Sequence, residues 1–335
     1  MPFTFNSHAK TQSLARWLLT IGVPLALSLA MGAVQAQTWP TKTVKIVVPF
    51  APGGASDILA RAIAQPLSQF WGQSVVIDNK PGAGGTLGAD IVAKSEPDGH
   101  TLLLSDVAVH TIAPKLYPKL PYSPEQLAPV INLATFAHIL IAPNSTPLKT
   151  FADVLTQDKA KPGRFSVASS GNGTSTHLTI EMVNMTAATQ LTHVPYKGGG
   201  AALTDVISGQ VDLMFIGAPP AMPLIQGGKL KALAVTTTSR MSTLPQVPTV
   251  SESGLPQFES VAAQGIFAPA GTSREVVQKI NQDIARLIRQ PDIKAKWDQI
   301  GAEPVDNTPQ KFAAWLGTEA VKWGRVVQVS GAKPD

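Results

Sequence analysis

The chain has 335 residues, with 27 lysines and arginines against 22 acidic residues, and it contains no cysteine. The absence of cysteine excludes disulfides, thiolate catalysis and thiolate metal sites. The net charge of +5 is spread along the chain, and no basic run is interleaved with aromatic residues, which argues against a nucleic-acid partner.

The first 36 residues have the organisation of an export signal. Lys10 and Arg16 precede the apolar run 17–33, and small residues end at Ala36. A membrane anchor is the alternative, but Pro24 interrupts the run, so we expect cleavage after about Ala36. The rest of the chain is long enough for two lobes of ordinary domain size.

Beyond this signal, strand and helix patterns alternate, which predicts an α/β fold with a mostly parallel sheet and helices on both faces. The predicted strands cover residues 44–48, 75–78, 101–104, 131–134, 139–142, 164–168, 192–194, 213–216, 232–236 and 265–268. The predicted helices cover residues 56–70, 84–94, 151–159, 176–185, 200–208, 274–289, 292–300 and 309–329.

Two long extended apolar segments, residues 133–143 and 261–269, have the character of crossings between lobes. Two crossings imply a discontinuous first lobe, residues 37–139 and 262–335, with a second lobe, residues 140–261, inserted into it. A ligand cleft is expected between the lobes, because open α/β sheets bind ligands at the carboxyl ends of their strands.

A Pro/Gly turn joins the first predicted strand to the first helix. Phe50 ends the strand, Gly53 and Gly54 form the turn, and the helix begins near Ser56. Because the first N–H groups of a helix lack partners and carry partial positive charge, such a turn can hold an anion without a lysine. Asp57 is the one acid in this turn, and it could receive a ligand's ammonium or hydroxyl group or only help the helix to start.

A similar arrangement recurs at residues 165–181. The loop 169–177 follows a predicted strand, contains Gly171 and Gly173, and opens a helix whose first residues carry hydroxyl groups. With the lobes assigned above, the two loops come from opposite sides of the cleft and could face each other. The alternative, that these glycines only make tight turns, stays open.

Other chemistries find little support in the sequence. The glycine-rich turn at residues 79–88 is close to a dinucleotide fingerprint, but its strand is not the first of the domain and no matching acid lies about 20 residues further on. No phosphate-binding P-loop and no G-x-S-x-G elbow occur. His177 and Glu181 lie four residues apart, but the sequence supplies no third metal ligand nearby. We therefore expect no catalytic residue, no metal and no cofactor.

A series of short motifs occurs in order along the chain. They are Trp39-Pro40, Pro49-Phe50-Ala51-Pro52-Gly53-Gly54, Asn79-Lys80-Pro81-Gly82-Ala83-Gly84-Gly85, Pro97-Asp98-Gly99-His100-Thr101-Leu102, His193-Val194-Pro195-Tyr196-Lys197-Gly198, Leu244-Pro245-Gln246-Val247-Pro248-Thr249 and Ala268-Pro269-Ala270-Gly271-Thr272. With these motifs the chain resembles the Bug-type, TctC-like substrate-binding proteins of the tripartite tricarboxylate transporters. The resemblance implies a periplasmic-binding-protein fold of type II, with two doubly wound α/β lobes joined by two crossing strands.

The resemblance also implies a function. It implies a monomeric periplasmic receptor, not an enzyme, that closes on a small carboxylate and delivers it to a membrane permease. Family members hold the carboxylate through main-chain groups and waters, at loops that match Phe50–Asp57 and Ser169–Thr174 here. A ligand-presenting sensor for a membrane kinase is the alternative role, and gene neighbourhood would separate the two.

Three positions depart from the family pattern. Ser105-Asp106 stand where a small Gly-Ser pair is common, Ile216-Gly217 replace an acidic or amide pair, and Ala263-Gln264 replace an aromatic pair. These changes make an aromatic or partly apolar carboxylate plausible beside a di- or tricarboxylate or an amino acid. The predicted ligand contacts are Phe50, Gly53, Gly54, Asp57, Ser105, Asp106, Ser169, Gly171, Asn172, Gly173 and Thr174, with Ile216 and Gly217 as walls.

Overall fold

The computed structural model describes residues 1–4 and 39–334. The predicted export signal therefore lies, apart from its first four residues, outside the described residues. The chain divides after Thr41, and every helix and strand described below belongs to the second unit, Lys42–Asp335. Within the described ranges, no helix combines the length and apolar character that crossing a membrane requires.

Ten strands and eleven α-helices make up the described part of the second unit. The strands are β1 (Val44–Val48), β2 (Val75–Asn79), β3 (Thr101–Asp106), β4 (Leu127–Pro143), β5 (Ser166–Ser169), β6 (Thr192–Pro195), β7 (Leu213–Gly217), β8 (Leu230–Val235), β9 (Val261–Pro269) and β10 (Glu303–Pro304). The helices are α1 (Ala55–Trp71), α2 (Thr86–Ala93), α3 (Ala108–Thr111), α4 (Ala113–Leu116), α5 (Phe151–Ala160), α6 (Ser175–Ala187), α7 (Gly199–Ser208), α8 (Ala218–Gln226), α9 (Arg274–Ile288), α10 (Pro291–Gln299) and α11 (Pro309–Ser330).

The strands form one mixed sheet in the order β2-β1-β3-β9-β4-β7-β5-β6, with β8 and β10 also paired to β4. The pairs β1–β2, β1–β3, β5–β6 and β5–β7 are parallel. Every pair that includes β4 or β9 is antiparallel. The prediction of a mostly parallel sheet is therefore wrong, because the two long strands run against all their neighbours.

Strand β4 links two halves of this sheet. Its residues from Leu127 to Ala137 pair with β9, whereas its residues from His138 to Pro143 pair with β7 and β8. The predicted strands 131–134 and 139–142 are thus one strand of 17 residues. We call β1, β2, β3, β9, β10 and the start of β4 the first sheet half. The second sheet half comprises β5–β8 and the end of β4.

Each sheet half has its own apolar core. Phe267 and Phe312 pack with Leu103 in the first half, and Phe151 and Phe215 are buried in the second. A third, smaller cluster joins the two sheet halves. In it, Trp323 of α11 packs with Ala108 of α3, with Ile112 just after α3 and with Leu178 of α6. We call this group the Trp323 cluster, and it lies at the C-terminal end of α11.

Helix α8 was not predicted, because it carries Pro219, Pro220 and Pro223. The first two fall in its first turn, where a missing N–H group costs no intrahelical hydrogen bond. The short helices α3 and α4 were also missed, since each has only four residues. The other helices lie within about two residues of their predicted ends; at the start of α2 the two predicted residues before Thr86 belong to a short 3₁₀ turn, Ala83–Gly85.

Candidate ligand-binding site

A small cavity lies where the two sheet halves meet. Its volume is about 40 Å³. Since one water molecule needs about 10–15 Å³ by this kind of measure, the cavity holds a group of three or four heavy atoms. The lining residues are Phe50, Gly54, Ala55, Ser56, Asp106, Phe136, His138, Ser170, Ser175, Thr176, Gly199, Gly217, Ala262 and Gln264.

Four helices begin at this cavity. Helix α1 begins after Gly54, α6 begins at Ser175, α7 begins at Gly199, and α8 begins after Gly217. The N-cap residues of α1, α7 and α8 are glycines, so no side chain caps these helices. A helix start leaves N–H groups without intrahelical partners and carries about half a positive charge. Four such starts around one cavity make a place suited to an anion.

The turn before α1 is held together by Asp57. Its carboxylate accepts hydrogen bonds from the Gly53 N–H (3.0 Å), from Nε of Arg61 (2.9 Å) and from Nδ2 of Asn79 (3.0 Å). Burial alone would raise the pKa of Asp57, but these hydrogen bonds outweigh it and hold the pKa below its ordinary value. Asp57 does not line the cavity, so in this structure it organises the turn from behind.

In the loop before α6, several backbone N–H groups form hydrogen bonds with side chains of the same loop and of the start of α6. The N–H groups of Ser170, Gly171 and Gly173 donate to Oγ1 of Thr176, Oγ of Ser169 and Nδ1 of His177, respectively. These groups are therefore occupied inside the loop. The donors that face the cavity come instead from the first residues of α6, Ser175 and Thr176.

Two stacked histidines pack against this loop. The rings of His177 and His193 lie 4.1 Å apart, centroid to centroid, and Nε2 of His193 lies 2.6 Å from Oγ of Ser169. Burial, with a smaller effect from His177, lowers the pKa of His193 to about 3. His193 is consequently neutral near pH 7, and its role here is to fix Ser169.

Asp106 is an acid inside the cavity wall. Its Oδ1 accepts from the Ala108 N–H (2.9 Å), and its Oδ2 accepts from Oγ of Ser175 (2.5 Å). Burial raises the pKa of Asp106 above its ordinary value, because the hydrogen bonds from Ser175 and Ala108, which lower the pKa, offset the effect of burial only in part. The acid lies at the end of β3, opposite Gln264 of β9 in the sheet register.

The remaining polar groups of the cavity are neutral. Nε2 of His138 lies 3.1 Å from Oγ of Ser175, and Nδ1 lies 3.2 Å from Oγ of Ser260. Burial lowers the pKa of His138 to about 3, so it carries no charge near pH 7. Oγ of Ser56 donates to Oε1 of Gln264 at 2.6 Å. In the described part of the chain no lysine or arginine lines the cavity, so positive potential there comes from helix starts.

The loops of the two sheet halves touch above the cavity. The Ala51 N–H donates to the Lys197 carbonyl at 2.9 Å. A Cβ atom added at Gly200 would lie 2.3 Å from the Pro52 carbonyl oxygen, and one added at Gly84 would lie 1.9 Å from the Asn172 carbonyl oxygen. Only glycine permits these backbone approaches, so the structure is a closed arrangement of these loops.

Two larger hollows lie nearby. One, of about 440 Å³, is lined by residues 82–85, 170–172, 195–197 and 201, and we call it the outer hollow. Another, of about 500 Å³, is lined by the loop 239–243 together with Asp298 and Glu303. The larger hollow is lined by two acids and by Arg240, whose guanidinium is already paired with Glu252. The small cavity, on which four helix starts converge, is therefore the candidate site.

The structure distributes the thirteen predicted contact residues among three places. Phe50, Gly54, Asp106 and Gly217 line the cavity, and Gly171 and Asn172 line the outer hollow. The other seven line neither of these spaces: Gly53, Asp57, Ser105, Ser169, Gly173, Thr174 and Ile216. Among them, Thr174 caps α6 by accepting from the His177 N–H, and Oγ of Ser105 donates to the Asp106 carbonyl.

Several cavity residues were missed from the sequence. The start of α7 at Gly199 had a readable signal, since three consecutive glycines precede a helical pattern. Phe136, His138 and Gln264 had none, because the pairing of β4 with β9 and β7 brings them to the cavity. Such long-range pairing is not visible in local sequence patterns.

Comparisons with known proteins agree with this arrangement. Residues 59–332 match the model of the tripartite tricarboxylate transporter family receptors. The chain is 32% identical to protein BugT of Bordetella pertussis over 323 residues, which cover 96% of this chain and 99% of BugT.

Two solved structures of Rhodopseudomonas palustris proteins superpose closely. Rpa4515 with adipate is 34% identical, with a TM-score of 0.86, and the match covers 89% of this chain and all of that one. MatC with bound malate is 35% identical, with a TM-score of 0.82, covering 86% of this chain and all of that one. The predicted α/β periplasmic-binding-protein fold and the non-enzymatic role are thus confirmed. The chain belongs to the tripartite tricarboxylate transporter family receptors, the periplasmic solute-binding proteins of TctC and Bug type.

Proposed function

We propose that this receptor binds a small carboxylate in the cavity between two lobes and delivers it to a tripartite tricarboxylate-type permease. The observation that carries the proposal is the convergence of four helix starts on one cavity. An anion there would be held by main-chain N–H groups and helix dipoles, since no lysine or arginine is among the described residues that line the cavity.

The energy of such a site is sufficient. A hydrogen bond to a charged group contributes about 1.5–3 kcal/mol, and micromolar binding requires about 8 kcal/mol after ordering costs are met. The starts of α1 and α7 are free of side-chain caps and, together with the Ala218 N–H of α8, whose next two residues are prolines without N–H groups, can supply three or four such bonds. Phe50, Phe136 and Ala262 would form the apolar wall, and Gly171 and Asn172 would meet any part of the ligand that reaches the outer hollow.

The lobes we propose are residues 37–139 with 262–335, and residues 140–261. Two features support this division: each sheet half has its own apolar core, and the boundaries fall inside β4 and β9. A ligand that contacts loops of both lobes favours the closed state over the open one, so binding and hinge closure are linked.

The carboxylate class draws support from the relatives, since the names of two of them record adipate and malate as bound ligands. We further propose that the chain is exported and cleaved after about Ala36, and that it acts as a monomer. Export and cleavage rest on the pattern of the first 36 residues.

The test begins with protein recovered from a periplasmic extract, whose N-terminal residue is determined by mass spectrometry. Thermal denaturation is then followed with acetate, benzoate, aspartate, malate, adipate and citrate at millimolar concentration. At least one carboxylate should raise the melting temperature, with calorimetry giving a micromolar or tighter dissociation constant. If none of them shifts the transition, the carboxylate site is rejected.

Transport is tested separately from binding. Cells that lack the gene should lose uptake of the radiolabelled carboxylate, and the gene supplied on a plasmid should restore it. Loss of a transcriptional response without loss of uptake would instead assign the protein to a sensor system.

A further inference from the structure

The carboxylate of Asp106 already occupies the start of one helix. Both the N–H and the Oγ–H of Ser175, the first residue of α6, donate to it. The N–H of Ala108 donates to the other carboxylate oxygen. Asp106 is 8% exposed, and it lines the cavity. One of the four helix starts at the cavity is therefore engaged by an anion that belongs to the protein itself.

We propose that Asp106 determines the specificity of the site, an inference that rests on the proposed function. The protein's own carboxylate occupies the position that a second ligand carboxylate would take, so this receptor binds monocarboxylates and rejects dicarboxylates. The ligand's single carboxylate binds the N–H groups at the starts of α1 and α7 and the Ala218 N–H of α8. The end of the ligand that faces Asp106 is apolar or carries a hydrogen-bond donor.

Size and charge both support this assignment. The cavity of about 40 Å³ has room for about three water-sized groups, since a water molecule alone needs about 10–15 Å³, so two carboxylate groups do not fit in it together. A second carboxylate would lie beside Asp106 in a buried place that no lysine or arginine lines, as far as the described residues go. Two carboxylates that share one small cavity repel each other strongly, because little water is present to screen their charges. Phe50, Phe136 and Ala262 offer an apolar surface instead.

No cationic side chain faces Asp106 among the described residues, so only a proton can neutralise its carboxylate. Ser175 faces it from α6, Ala108 from α3 and Gln264 from β9, and none of them titrates. His138 of β4 reaches it only through Ser175 and is neutral above about pH 3. A dicarboxylate could enter only with a proton on Asp106, so its binding should strengthen as the pH falls.

The experiment compares pairs of acids that exchange a methyl group for a carboxylate at constant carbon number. The pairs are butyrate with succinate, hexanoate with adipate, and 4-methylbenzoate with terephthalate. Affinities are measured by calorimetry at pH 7.5 and pH 5.5 for the wild type, Asp106→Ser and Asp106→Asn. Asp158→Asn is the matched control, because Asp158 is a fully buried acid outside the cavity that accepts from the Gln190 N–H.

At pH 7.5 the wild type should bind the monocarboxylate of the best-binding pair at least tenfold more tightly than its dicarboxylate. Asp106→Ser and Asp106→Asn should abolish or reverse this preference and remove the pH dependence of dicarboxylate binding, whereas Asp158→Asn should keep both. A wild type that binds both acids equally, or prefers the dicarboxylate, overturns the assignment of Asp106 without touching the carboxylate site. Because this comparison needs only the wild type, it holds even if a variant fails to fold. No binding of any acid overturns the proposed function as well.

Discussion

Replacing Gly200 by alanine should hold the cleft open while leaving the fold intact. Gly200 lies in the first turn of α7 with an ordinary helical conformation, so alanine suits the helix itself. Its Cβ, however, would lie 2.3 Å from the Pro52 carbonyl oxygen and 2.8 Å from the Gly53 carbonyl carbon. An ordinary contact is 3.4 Å or more, so the two loops must move apart by about 1 Å.

A displacement of this size is enough to break hydrogen bonds. The Ala51 N–H to Lys197 carbonyl bond of 2.9 Å would stretch beyond hydrogen-bonding distance. That bond contributes about 1 kcal/mol, and one charged bond from α7 to the ligand contributes about 2 kcal/mol more. A loss of about 3 kcal/mol corresponds to roughly 100-fold weaker binding.

The assay is calorimetric titration with the carboxylate that gives the largest thermal shift, accompanied by urea denaturation without ligand. Gly317→Ala is the matched control, since a Cβ at Gly317 of α11 would meet nothing within 4 Å. Gly200→Ala should be as stable as the wild type and bind about 100-fold more weakly, whereas Gly317→Ala should bind normally. If Gly200→Ala binds within threefold of the wild type, the loops do not close on the ligand in the way described.

Three further predictions concern stability. The pKa of His138 is about 3 in the folded chain and about 6.5 in the unfolded chain, so only the unfolded chain takes up a proton as the pH falls below 6.5. This uptake should lower the free energy of unfolding by about 2 kcal/mol between pH 6.5 and pH 5. In urea denaturation, His138→Gln should not show this loss. Equal losses in the variant and the wild type would contradict the role given to His138. Asp57→Asn should lower the free energy of unfolding by about 2 kcal/mol, because the charged bond to Arg61 disappears; an unchanged urea midpoint would argue against the role given to Asp57. Phe215→Ala should cost about 3–5 kcal/mol, because a fully buried ring leaves a cavity in the second sheet half, and a loss below 1 kcal/mol in the same assay would place Phe215 outside a packed core.

Much of the fold was readable from local patterns. The helices α5, α9 and α10 carry caps or prolines at their starts, and their predicted and observed ends agree within two residues. Strand β4 was predicted as two pieces, because the polar residues around Thr135 and His138 interrupt an otherwise apolar run. In the structure His138 is buried by long-range partners, and the strand continues through it.

Some of the residues that line the candidate site were predictable from the sequence, and others were not. Glycine turns before helices were recognised at Gly54 and near Ser175, and both helix starts reach the cavity. The loop residue Gly171 was predicted to contact ligand, but its N–H is occupied by Ser169, and no local pattern discloses such an internal bond. Which sides of β4 and β9 meet the loops depends on strand register, and this register places His138 and Gln264 at the cavity.

The Trp323 cluster has a practical consequence for anyone who handles this protein. Near its C-terminal end, α11 packs at once against Ile112 and against Leu178, which approach it from the two sheet halves. If the proposed lobes open, this helix end has to slide over one of these neighbours. An affinity tag fused directly after Ser330 would crowd that sliding surface and bias the receptor toward one state. A purification handle is better separated from α11 by a flexible glycine-serine spacer, so that the measured affinity is that of the native receptor.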